Sequence, residues 1–180
     1  MNEKAQELAK PIKLLIFDVD GVLTDGSLYL TDDGVEIKAF HSHDGLGIKL
    51  LMRSGVQVGI ITARQSELVT LRMKSLGIEH AYQGNMVKVE AYEDLLKKLS
   101  LQDYQVAYVG DDIIDLPLIQ RAGLGIAVAN SHEFIKPHAD WITDCSGGGR
   151  AAREICDFIM RAQGTFEKVY NKFLLEHHAK

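Results

Sequence analysis

The sequence predicts an α/β fold with a doubly wound, mostly parallel β-sheet and helices on both of its faces. Two kinds of segment along the chain predict this fold class. Short, apolar, β-branched segments alternate along the chain with segments of helical periodicity, and such alternation favours a parallel sheet that is covered on both sides. The chain has 180 residues, of which 46% are hydrophobic, and this length predicts a single domain over residues 1–180.

The predicted strands and helices alternate along most of the chain. Short apolar runs indicate buried strands at residues 13–18, 56–62, 105–109 and 124–128. Other segments place apolar residues three and four positions apart, as a helix with one buried face does, at residues 46–54, 66–76, 87–99, 113–121 and 150–162. This order is typical of strand–helix–strand units in one sheet.

A predicted hairpin at about 27–40 interrupts the alternation after the first strand. Its strands, at 27–30 and 35–40, flank the sequence Thr31-Asp32-Asp33-Gly34, which is typical of a turn that ends in glycine. The hairpin projects from the sheet as a plain surface feature, as a subunit interface or as a flap over a site, and the sequence leaves these alternatives open.

The C-terminal segment, at about 165–180, is predicted to form an amphipathic helix. Its apolar residues recur at helical spacing, at Phe166, Val169, Tyr170, Phe173 and Leu174. Such a face packs either on the protein's own core or on a neighbouring subunit, and the sequence does not choose between them.

The composition excludes several classes of protein. With 25 acidic and 20 basic side chains the net charge is −5, which argues against a nucleic-acid binder. No apolar run reaches the roughly 18 residues that a membrane span needs, and the N-terminal segment has no signal-peptide core. Cys145 and Cys156 form no disulfide or zinc pattern. We expect a cytoplasmic protein with no nucleic-acid or membrane partner.

Two groups of aspartates follow predicted strands. Asp18 and Asp20 end the first strand, and Asp111, Asp112 and Asp115 follow the third. Because the carboxyl ends of parallel strands meet at one edge of a sheet, the two groups should come together there. Close carboxylates repel each other unless a cation intervenes, and oxygen ligands suit Mg²⁺. Asp112 and Asp115 can equally be turn or helix-capping residues.

Two further loops at the same predicted edge carry groups suited to phosphate. Thr62 and Arg64 end the second strand, where a hydroxyl and free backbone N–H groups can hold phosphate oxygens. Lys88 opens a helix, and a cation at this end of a helix is unfavourable unless an anion lies nearby. Together with the carboxylates and Mg²⁺, these groups are what phosphoryl transfer requires.

In order and spacing, these motifs resemble those of the haloacid dehalogenase-like phosphohydrolases, which have a Rossmann-like fold. The resemblance implies that Asp18 is the nucleophile and forms an aspartyl-phosphate, and that Asp20 is the general acid and base. Thr62 and Lys88 would bind the transferring phosphoryl group. Asp18, Asp111 and the backbone carbonyl of Asp20 would hold Mg²⁺.

Many members of that family carry a cap domain over the active site, and this sequence leaves no room for one. The gaps between Asp20, Thr62, Lys88 and Asp111 are filled by the predicted hairpin and helices. A capless enzyme must exclude water and select its substrate by other means, and a neighbouring subunit is the simplest of them.

A narrower resemblance is to the 3-deoxy-D-manno-octulosonate 8-phosphate (Kdo 8-phosphate) phosphatases. It rests on DVDGVLTDG, the hairpin, KAF, ITAR, YQG and YVGDD, within residues 12 to 164. It implies a Mg²⁺-dependent phosphomonoesterase of lipopolysaccharide biosynthesis that forms a homotetramer around its hairpins. A phosphatase of a nine-carbon ulosonic acid 9-phosphate, a phospho-accepting module and a catalytically idle scaffold are the alternatives.

The same resemblance implies substrate contacts, because a sugar-acid phosphate carries an anion at each end. The residues concerned are Asp20, His41, Ser42, His43, Asp44, Gly45, Lys49, Arg64, Arg72 and Lys88. Two positions depart from the family pattern. His43 stands where an arginine is expected, and in the glycine-rich segment 147–150 the arginine comes one place late. That segment either binds an anion or simply turns the chain.

Overall fold

A computed structural model describes residues 3–178 of the chain. Its strands are β1 (Leu14–Phe17), β2 (Tyr29–Leu30), β3 (Glu36–Ile37), β4 (Gln57–Ile61), β5 (His80–Tyr82), β6 (Val106–Gly110), β7 (Leu124–Ala127) and β8 (Trp141–Ile142). Its α-helices are α1 (Glu3–Ala9), α2 (Ser42–Arg53), α3 (Glu67–Leu76), α4 (Lys88–Leu99), α5 (Leu116–Arg121), α6 (Ala151–Ala162) and α7 (Phe166–His178). Single 3-10 turns occupy Asp103–Gln105, Ile113–Asp115 and Lys136–His138.

The central sheet has six parallel strands in the order β5-β4-β1-β6-β7-β8. β1 lies in the middle, with Phe17 opposite Ile60 of β4 on one side and Val109 of β6 on the other. The chain runs outward from β1 to β5, then returns to β6 and continues to β8. The winding therefore reverses between β1 and β6, and parallel sheets bind ligands in the crevice at such a point. The predicted doubly wound α/β fold is confirmed.

Helices cover both faces of the sheet, because β1 directs alternate side chains into two cores. Leu15 and Phe17 face a core built with α2, α3 and α6, whereas Leu14 and Ile16 face one built with α4 and α5. All four side chains are fully buried. Burial of a large aliphatic side chain contributes about 1.5–3 kcal/mol, so the strand that ends at the first aspartates is anchored from both sides.

The predicted hairpin is present, with strands shorter than expected. β2 and β3 pair in an antiparallel manner over two residues each. Gly34 in the turn has a φ of 82°, a conformation that favours glycine. The apolar side chains of the hairpin are between 47% and 64% exposed; they are Leu28, Tyr29, Leu30, Val35 and Ile37. An apolar surface of this kind is typical of an interface.

The sequence predicts neither α1 nor the edge strands β5 and β8. β5 and β8 have three and two residues, too few for a periodic pattern, and α1 buries only the small side chains of Ala5 and Ala9. Helix α2 begins at Ser42, four residues before the predicted start. There His41 Nδ1 accepts a hydrogen bond from the backbone N–H of His43. The predicted substrate residues His41 to Gly45 thus form the start of helix α2.

The C-terminal helix α7 packs on the protein's own core, one of the two arrangements that the sequence left open. Val169 is buried in the core formed with α2 and α6. Tyr170 Oη donates a hydrogen bond to Asp157 Oδ1 at 2.7 Å and accepts one from Arg153 Nη2. These contacts fix the first two turns of α7 against α6.

Nothing in the described part of the chain forms a cap over the carboxyl edge of the sheet. Only the hairpin and α2 lie between β1 and β4, and only α3, β5, α4 and one 3-10 turn lie between β4 and β6. This agrees with the capless fold that the spacing of the motifs predicts. Among residues 3–178, no helix is long and apolar enough to cross a bilayer.

Candidate active site

Asp18 lies directly after β1, at the carboxyl edge of the sheet. Its backbone N–H donates to the carbonyl of Val109 at 2.9 Å, which extends the pairing of β1 with β6 by one residue, and Asp18 is only 4% exposed. Asp111 follows β6 directly. The two aspartates therefore flank the point at which the winding of the sheet reverses, as the sequence predicts.

Asp18, Asp111 and Asp115 form a group in which one carboxylate oxygen of each lies within 4.8 Å of the others. Burial, followed by the charge of Asp115, raises the pKa of Asp18 to about 7, although Lys88 opposes this. Burial and the charge of Asp18 raise the pKa of Asp111 to about 7. The accumulated negative charge is unfavourable, and a bound cation would relieve it.

Asp115 is fully buried, and both of its oxygens already accept hydrogen bonds. Oδ1 accepts them from Lys88 Nζ at 2.7 Å and Tyr108 Oη at 2.6 Å. Oδ2 accepts them from the backbone N–H groups of Asp111 at 3.0 Å and Asp112 at 3.3 Å. A carboxylate with four protein donors has little capacity left for a metal ion. Asp115 therefore holds the neighbouring groups in place.

Asp18 and Asp111 fit a hard divalent cation. Asp18 Oδ1 is buried and accepts no well-oriented hydrogen bond. The carboxylate of Asp111 lies against Gly21, where an added Cβ would overlap Oδ2, and Gly21 has a φ of 89°. Glycine lets the loop after β1 fold back against Asp111, and the backbone carbonyl of Asp20, the third predicted ligand, belongs to the same loop. Carboxylate and carbonyl oxygens are the ligands that Mg²⁺ takes.

Lys88 lies between Asp18 and Asp115 at the start of α4. Its Nζ is 2.9 Å from Asp18 Oδ1 and 2.7 Å from Asp115 Oδ1, and its side chain is 1% exposed. Burial lowers the pKa of the amine, but the charges of the two carboxylates more than compensate, so the net shift of the pKa is upward. Lys88 is therefore a fixed positive charge beside Asp18.

Thr62 follows β4, the strand next to β1. It is buried, its N–H donates to the carbonyl of Tyr82 at 2.9 Å, and its Oγ1 accepts a hydrogen bond from the backbone N–H of Arg64 at 3.4 Å. The side chain of Arg64 turns toward the hairpin, where Nη2 donates to Glu36 Oε1 at 2.6 Å. Thr62 thus occupies the predicted strand end, and the guanidinium of Arg64 is tied to the hairpin.

Glu36 and Lys38 are charged residues at the site that sequence reasoning did not single out. Lys38 Nζ forms an ion pair with Asp20 Oδ1 and lies 3.3 Å from Glu36 Oε1. Burial would raise the pKa of Glu36, but the hydrogen bond from Ser66 and the charges of Lys38 and Arg64 hold it below its ordinary value. The only signal in the sequence is the motif KAF at the end of the predicted hairpin, of which Lys38 is the first residue.

Arg72 and the start of α2 form a second cluster. A Cβ at Gly45 would lie 2.5 Å from Arg72 Nη2, so the guanidinium lies directly against this glycine and would have to shift for a larger residue. The same group lies 5.5 Å from the centre of the Phe40 ring and makes a long contact of 3.5 Å with the carbonyl of His41. His41, Gly45 and Arg72, which were predicted to contact substrate, are therefore neighbours.

The other predicted substrate residues on α2 are not joined to Asp18 by any described contact. Asp44 is buried, and its Oδ1 accepts a hydrogen bond from the backbone N–H of Arg153 at 2.8 Å, in the first turn of α6. Burial raises the pKa of Asp44. A carboxylate at a helix N-terminus stabilises that helix, so Asp44 serves the packing of α2 on α6. Ser42, His43 and Lys49 are exposed.

The glycine-rich segment 147–150 packs on the loop after β1. The N–H of Gly148 donates to the carbonyl of Val22 at 3.0 Å, and that of Gly147 donates to Asn130 Oδ1 at 2.8 Å. A Cβ at Gly147 would overlap the carbonyl oxygen of Gly21. Since these N–H groups are already occupied, the segment supports the Asp18 loop and offers no anion site through them.

Comparison with known proteins places the chain in a family. A model of haloacid dehalogenase-like hydrolases matches residues 80–148. The chain is 48% identical over 160 residues to the 3-deoxy-D-manno-octulosonate 8-phosphate phosphatase KdsC of Salmonella typhi, over 89% of this chain and 85% of that protein. The chain belongs to the Kdo 8-phosphate phosphatase family. It is therefore a phosphatase of the haloacid dehalogenase-like hydrolases.

Solved structures of phosphatases superpose on it closely. A probable YrbI family phosphatase from Pseudomonas syringae pv. phaseolica has a TM-score of 0.94 and 50% identity, over 96% of this chain and 98% of that one. The Kdo 8-phosphate phosphatase of Moraxella catarrhalis, solved with a magnesium ion, a phosphate ion and Kdo, has a TM-score of 0.92 and 43% identity, over 96% and 99% of the two chains. The Kdo 8-phosphate phosphatase fold thus extends over nearly all of this chain.

Proposed function

We propose that this phosphatase hydrolyses Kdo 8-phosphate to Kdo and inorganic phosphate, with Mg²⁺ as its cofactor, in lipopolysaccharide biosynthesis. The observation that carries the proposal is the group of Asp18, Lys88 and Asp111 at the switch point of the sheet. The substrate named for relatives that are 48% identical supports the choice of sugar. The Moraxella catarrhalis structure with magnesium, phosphate and Kdo supports the cofactor and the products.

In the first half of the reaction, a carboxylate oxygen of Asp18 attacks the phosphorus. The bond between phosphorus and the oxygen on C8 of the sugar breaks, and an aspartyl-phosphate forms on Asp18. The leaving oxygen takes a proton from the carboxyl group of Asp20, so that a neutral alcohol departs. Lys88, fixed between Asp18 and Asp115, favours the ionised form of Asp18 and offsets the charge of the phosphoryl group.

In the second half, a water molecule attacks the phosphorus of the aspartyl-phosphate. The bond between phosphorus and the Asp18 oxygen breaks, which regenerates the Asp18 carboxylate and releases inorganic phosphate. Asp20, now a carboxylate, takes the proton of the attacking water. The two halves together consume one water, and both aspartates return to their starting states.

Asp18, Asp111 and the backbone carbonyl of Asp20 would hold the Mg²⁺. When bound, the ion neutralises charge on the phosphoryl oxygens. The Thr62 hydroxyl and the backbone N–H groups after β4 would bind the same oxygens. Asp115 contributes indirectly, because its hydrogen bonds fix the Lys88 ammonium and the backbone at Asp111.

The sugar carboxylate requires a cation at a distance from the phosphate. Arg64 and Arg72 are the proposed partners, with His41 and Gly45 beside Arg72. Each charge-assisted hydrogen bond would contribute about 1.5–3 kcal/mol. Contacts of Ser42, His43, Asp44 and Lys49 with substrate stay predictions.

We also propose that the enzyme is a cytoplasmic homotetramer assembled through its hairpins. The exposed apolar side chains of β2 and β3 support this, since contiguous apolar surface is typical of an interface. A site without a cap gains shelter from water if a neighbouring subunit lies over it.

Phosphate release from Kdo 8-phosphate tests the proposal, with and without Mg²⁺, beside a panel of sugar phosphates that includes a nine-carbon ulosonic acid 9-phosphate. We expect release that depends on Mg²⁺ and is strongest for Kdo 8-phosphate. Asp18→Asn, which is nearly isosteric, should fold normally and lose turnover, because an amide is a poor nucleophile.

Other results of these assays would each reject one part of the proposal. Normal kcat in Asp18→Asn would reject the covalent mechanism. Even activity over the panel, or a preference for the 9-phosphate, would reject Kdo 8-phosphate as the substrate. A complete lack of activity on every member would favour the catalytically idle scaffold.

A further inference from the structure

Lys38 is a buried charge that the mechanism above does not use. Its side chain is 3% exposed, its amine forms an ion pair with Asp20 Oδ1, and it lies 3.3 Å from Glu36 Oε1. Removing an ammonium group from water is unfavourable unless carboxylates compensate. Among the described residues, no other side chain forms a hydrogen bond or ion pair with the Asp20 carboxylate.

Glu36 holds the lysine in one position. Its carboxylate accepts hydrogen bonds from Arg64 Nη2 at 2.6 Å and from Ser66 Oγ at 3.0 Å, and both donors follow β4. Alternating charges on Asp20, Lys38, Glu36 and Arg64 therefore join the loop after β1, the hairpin and the loop after β4. When each charged group in a network is paired with its neighbour, the positions of all the side chains are restricted.

We infer that Lys38 is a positioning residue for Asp20; the inference rests on the acid and base role proposed above for Asp20. The ammonium group binds Oδ1 of the carboxylate, which leaves Oδ2 for the leaving oxygen and later for water. A catalytic group displaced by about 1 Å can lose about 10²-fold in rate. Lys38 would thus act by limiting the rotation of Asp20.

Lys38 takes no part in the proton balance. Asp20 gives one proton to the leaving oxygen and takes one from water, and no proton passes through Lys38. Its contribution should therefore be largest when the leaving oxygen requires a proton. It should be small when the leaving group departs as a stable anion.

The experiment compares two leaving groups in the intact enzyme. A sugar alkoxide must be protonated as it leaves, whereas p-nitrophenolate departs without a proton. The rate of the first turnover is measured with the best sugar phosphate of the panel and with p-nitrophenyl phosphate. The variants are Lys38→Met, Lys38→Arg and Asp20→Asn. Lys98→Met is the matched control, because Lys98 pairs with Asp94 at 3.8 Å on the exposed surface of α4.

We expect Lys38→Met to lower the first-turnover rate with the sugar phosphate by about 10²-fold, and to leave the release of p-nitrophenol nearly unchanged. Lys38→Arg keeps the charge and should restore most of the rate. Asp20→Asn should show the same selectivity with a loss of about 10²–10⁴-fold. Lys98→Met should match the wild type, and thermal unfolding checks that every variant is folded.

Three results would overturn the inference while leaving the proposed function in place, provided that Asp20→Asn is selective. They are an equal loss with both substrates in Lys38→Met, no loss at all, and a higher KM at unchanged kcat, which would make Lys38 a substrate ligand. An unselective loss in Asp20→Asn would instead reject the acid role of Asp20, and with it the inference about Lys38, whereas the proposed substrate is decided separately by the panel of sugar phosphates. Misfolding of Lys38→Met shifts the decision to Glu36→Gln, which should show a weaker form of the same selectivity. An unselective loss, or no loss, in Glu36→Gln would then overturn the inference.

Discussion

Asp112 and Asp115 are three residues apart, and the sequence assigns them the same alternatives. In the structure Asp115 is fully buried and accepts hydrogen bonds from Lys88, Tyr108 and two backbone N–H groups. Asp112 is exposed, and its Oδ1 accepts a hydrogen bond from the backbone N–H of Ile113 at 2.7 Å. Asp112 therefore caps a 3-10 turn, and Asp115 organises the site. Their roles differ only because the chain after β6 buries Asp115 and leaves Asp112 exposed.

Gly21→Ala tests the contact between the loop after β1 and Asp111. The φ of Gly21 is 89°, so alanine should cost about 1–2 kcal/mol of unfolding free energy from backbone strain. The added Cβ would also overlap Asp111 Oδ2. We expect the variant to bind Mg²⁺ more weakly, as measured by titration calorimetry.

Gly77→Ala is the matched control for backbone strain. Gly77 has a φ of 81°, and a Cβ there meets no atom within 4 Å. In denaturant unfolding, Gly77→Ala should lose stability through backbone strain alone, and Gly21→Ala should lose more because of its overlap with Asp111. Only Gly21→Ala should lose Mg²⁺ affinity. Equal Mg²⁺ affinity in the two variants would show that Asp111 does not depend on Gly21.

For single residues, the sequence predicts the site residues that directly follow strands. It does not predict the charged residues that pair between different loops. Asp18, Thr62 and Asp111 could be placed at one edge because each follows an apolar run. Lys38 and Glu36 could not be placed, because their partners lie in the loop after β1 and in the loop after β4. Periodicity carries no information about which charges pair between distant segments.

Among the elements, the long ones follow from local pattern, and the exceptions have tertiary causes. The start of α2 contains Gly45 and Gly47, which are poor helix formers. A Cβ at Gly47 would lie 2.7 Å from Arg153 Cδ, so close packing of α2 on α6 requires glycine there. Contacts with α6 therefore outweigh the low helix propensity of this segment, and the sequence places the start of the helix too late.

The hairpin supplies a prediction about assembly. Leu30 is 64% exposed on β2. Leu30→Lys would bring like charges together if hairpins meet in an oligomer, and it would remove apolar area worth about 25 cal/mol per Å². We expect sedimentation velocity to show a smaller assembly for this variant than for the wild type.

Leu175→Lys is the control, because Leu175 is 71% exposed and lies on a different element, α7. It should sediment as the wild type does. A wild-type protein that sediments as a fully active monomer would contradict the proposed tetramer. If only the control variant lost assembly, the subunit interface would lie at α7 and not at the hairpin.

At the scale of the whole molecule, helix α7 stabilises the folded protein. Val169 is buried in the core, Phe166 and Tyr170 pack against it, and Arg53 Nη1 lies 3.0 Å from Glu176 Oε2. Truncation after Gly164 should lower the unfolding free energy by several kcal/mol, at about 1.5–3 kcal/mol for each large side chain lost from the core. Denaturant unfolding measures this loss.

Deletion of residues 177–180 is the control, since it leaves Val169, Tyr170 and Glu176 in the chain. It should keep the stability of the wild type. Because α7 contacts α2 and α6 of its own chain, we expect the KM of the folded truncated enzyme to stay unchanged. A changed KM at unchanged stability would indicate that the tail acts on an active site.

The prediction of one domain over residues 1–180 stays a prediction, and the two cores favour it. They share β1, since Leu15 and Phe17 belong to one and Leu14 and Ile16 to the other. Neither face of the sheet can form its core without this strand. The number of subunits has no comparable signal, because a single chain records only that the hairpin is apolar and exposed.

The packing of segment 147–150 on the Asp18 loop also has a consequence for protein synthesis. A ribosome makes the loop early, and domains form as the chain emerges from the N-terminus. Gly147 and Gly148, which close against Gly21 and Val22, are added more than a hundred residues later. A nascent chain halted before them carries the aspartates without the support that shapes their loop. The enzyme should therefore stay inactive while it is translated, and gain its phosphatase activity only when the last third of the chain has left the ribosome.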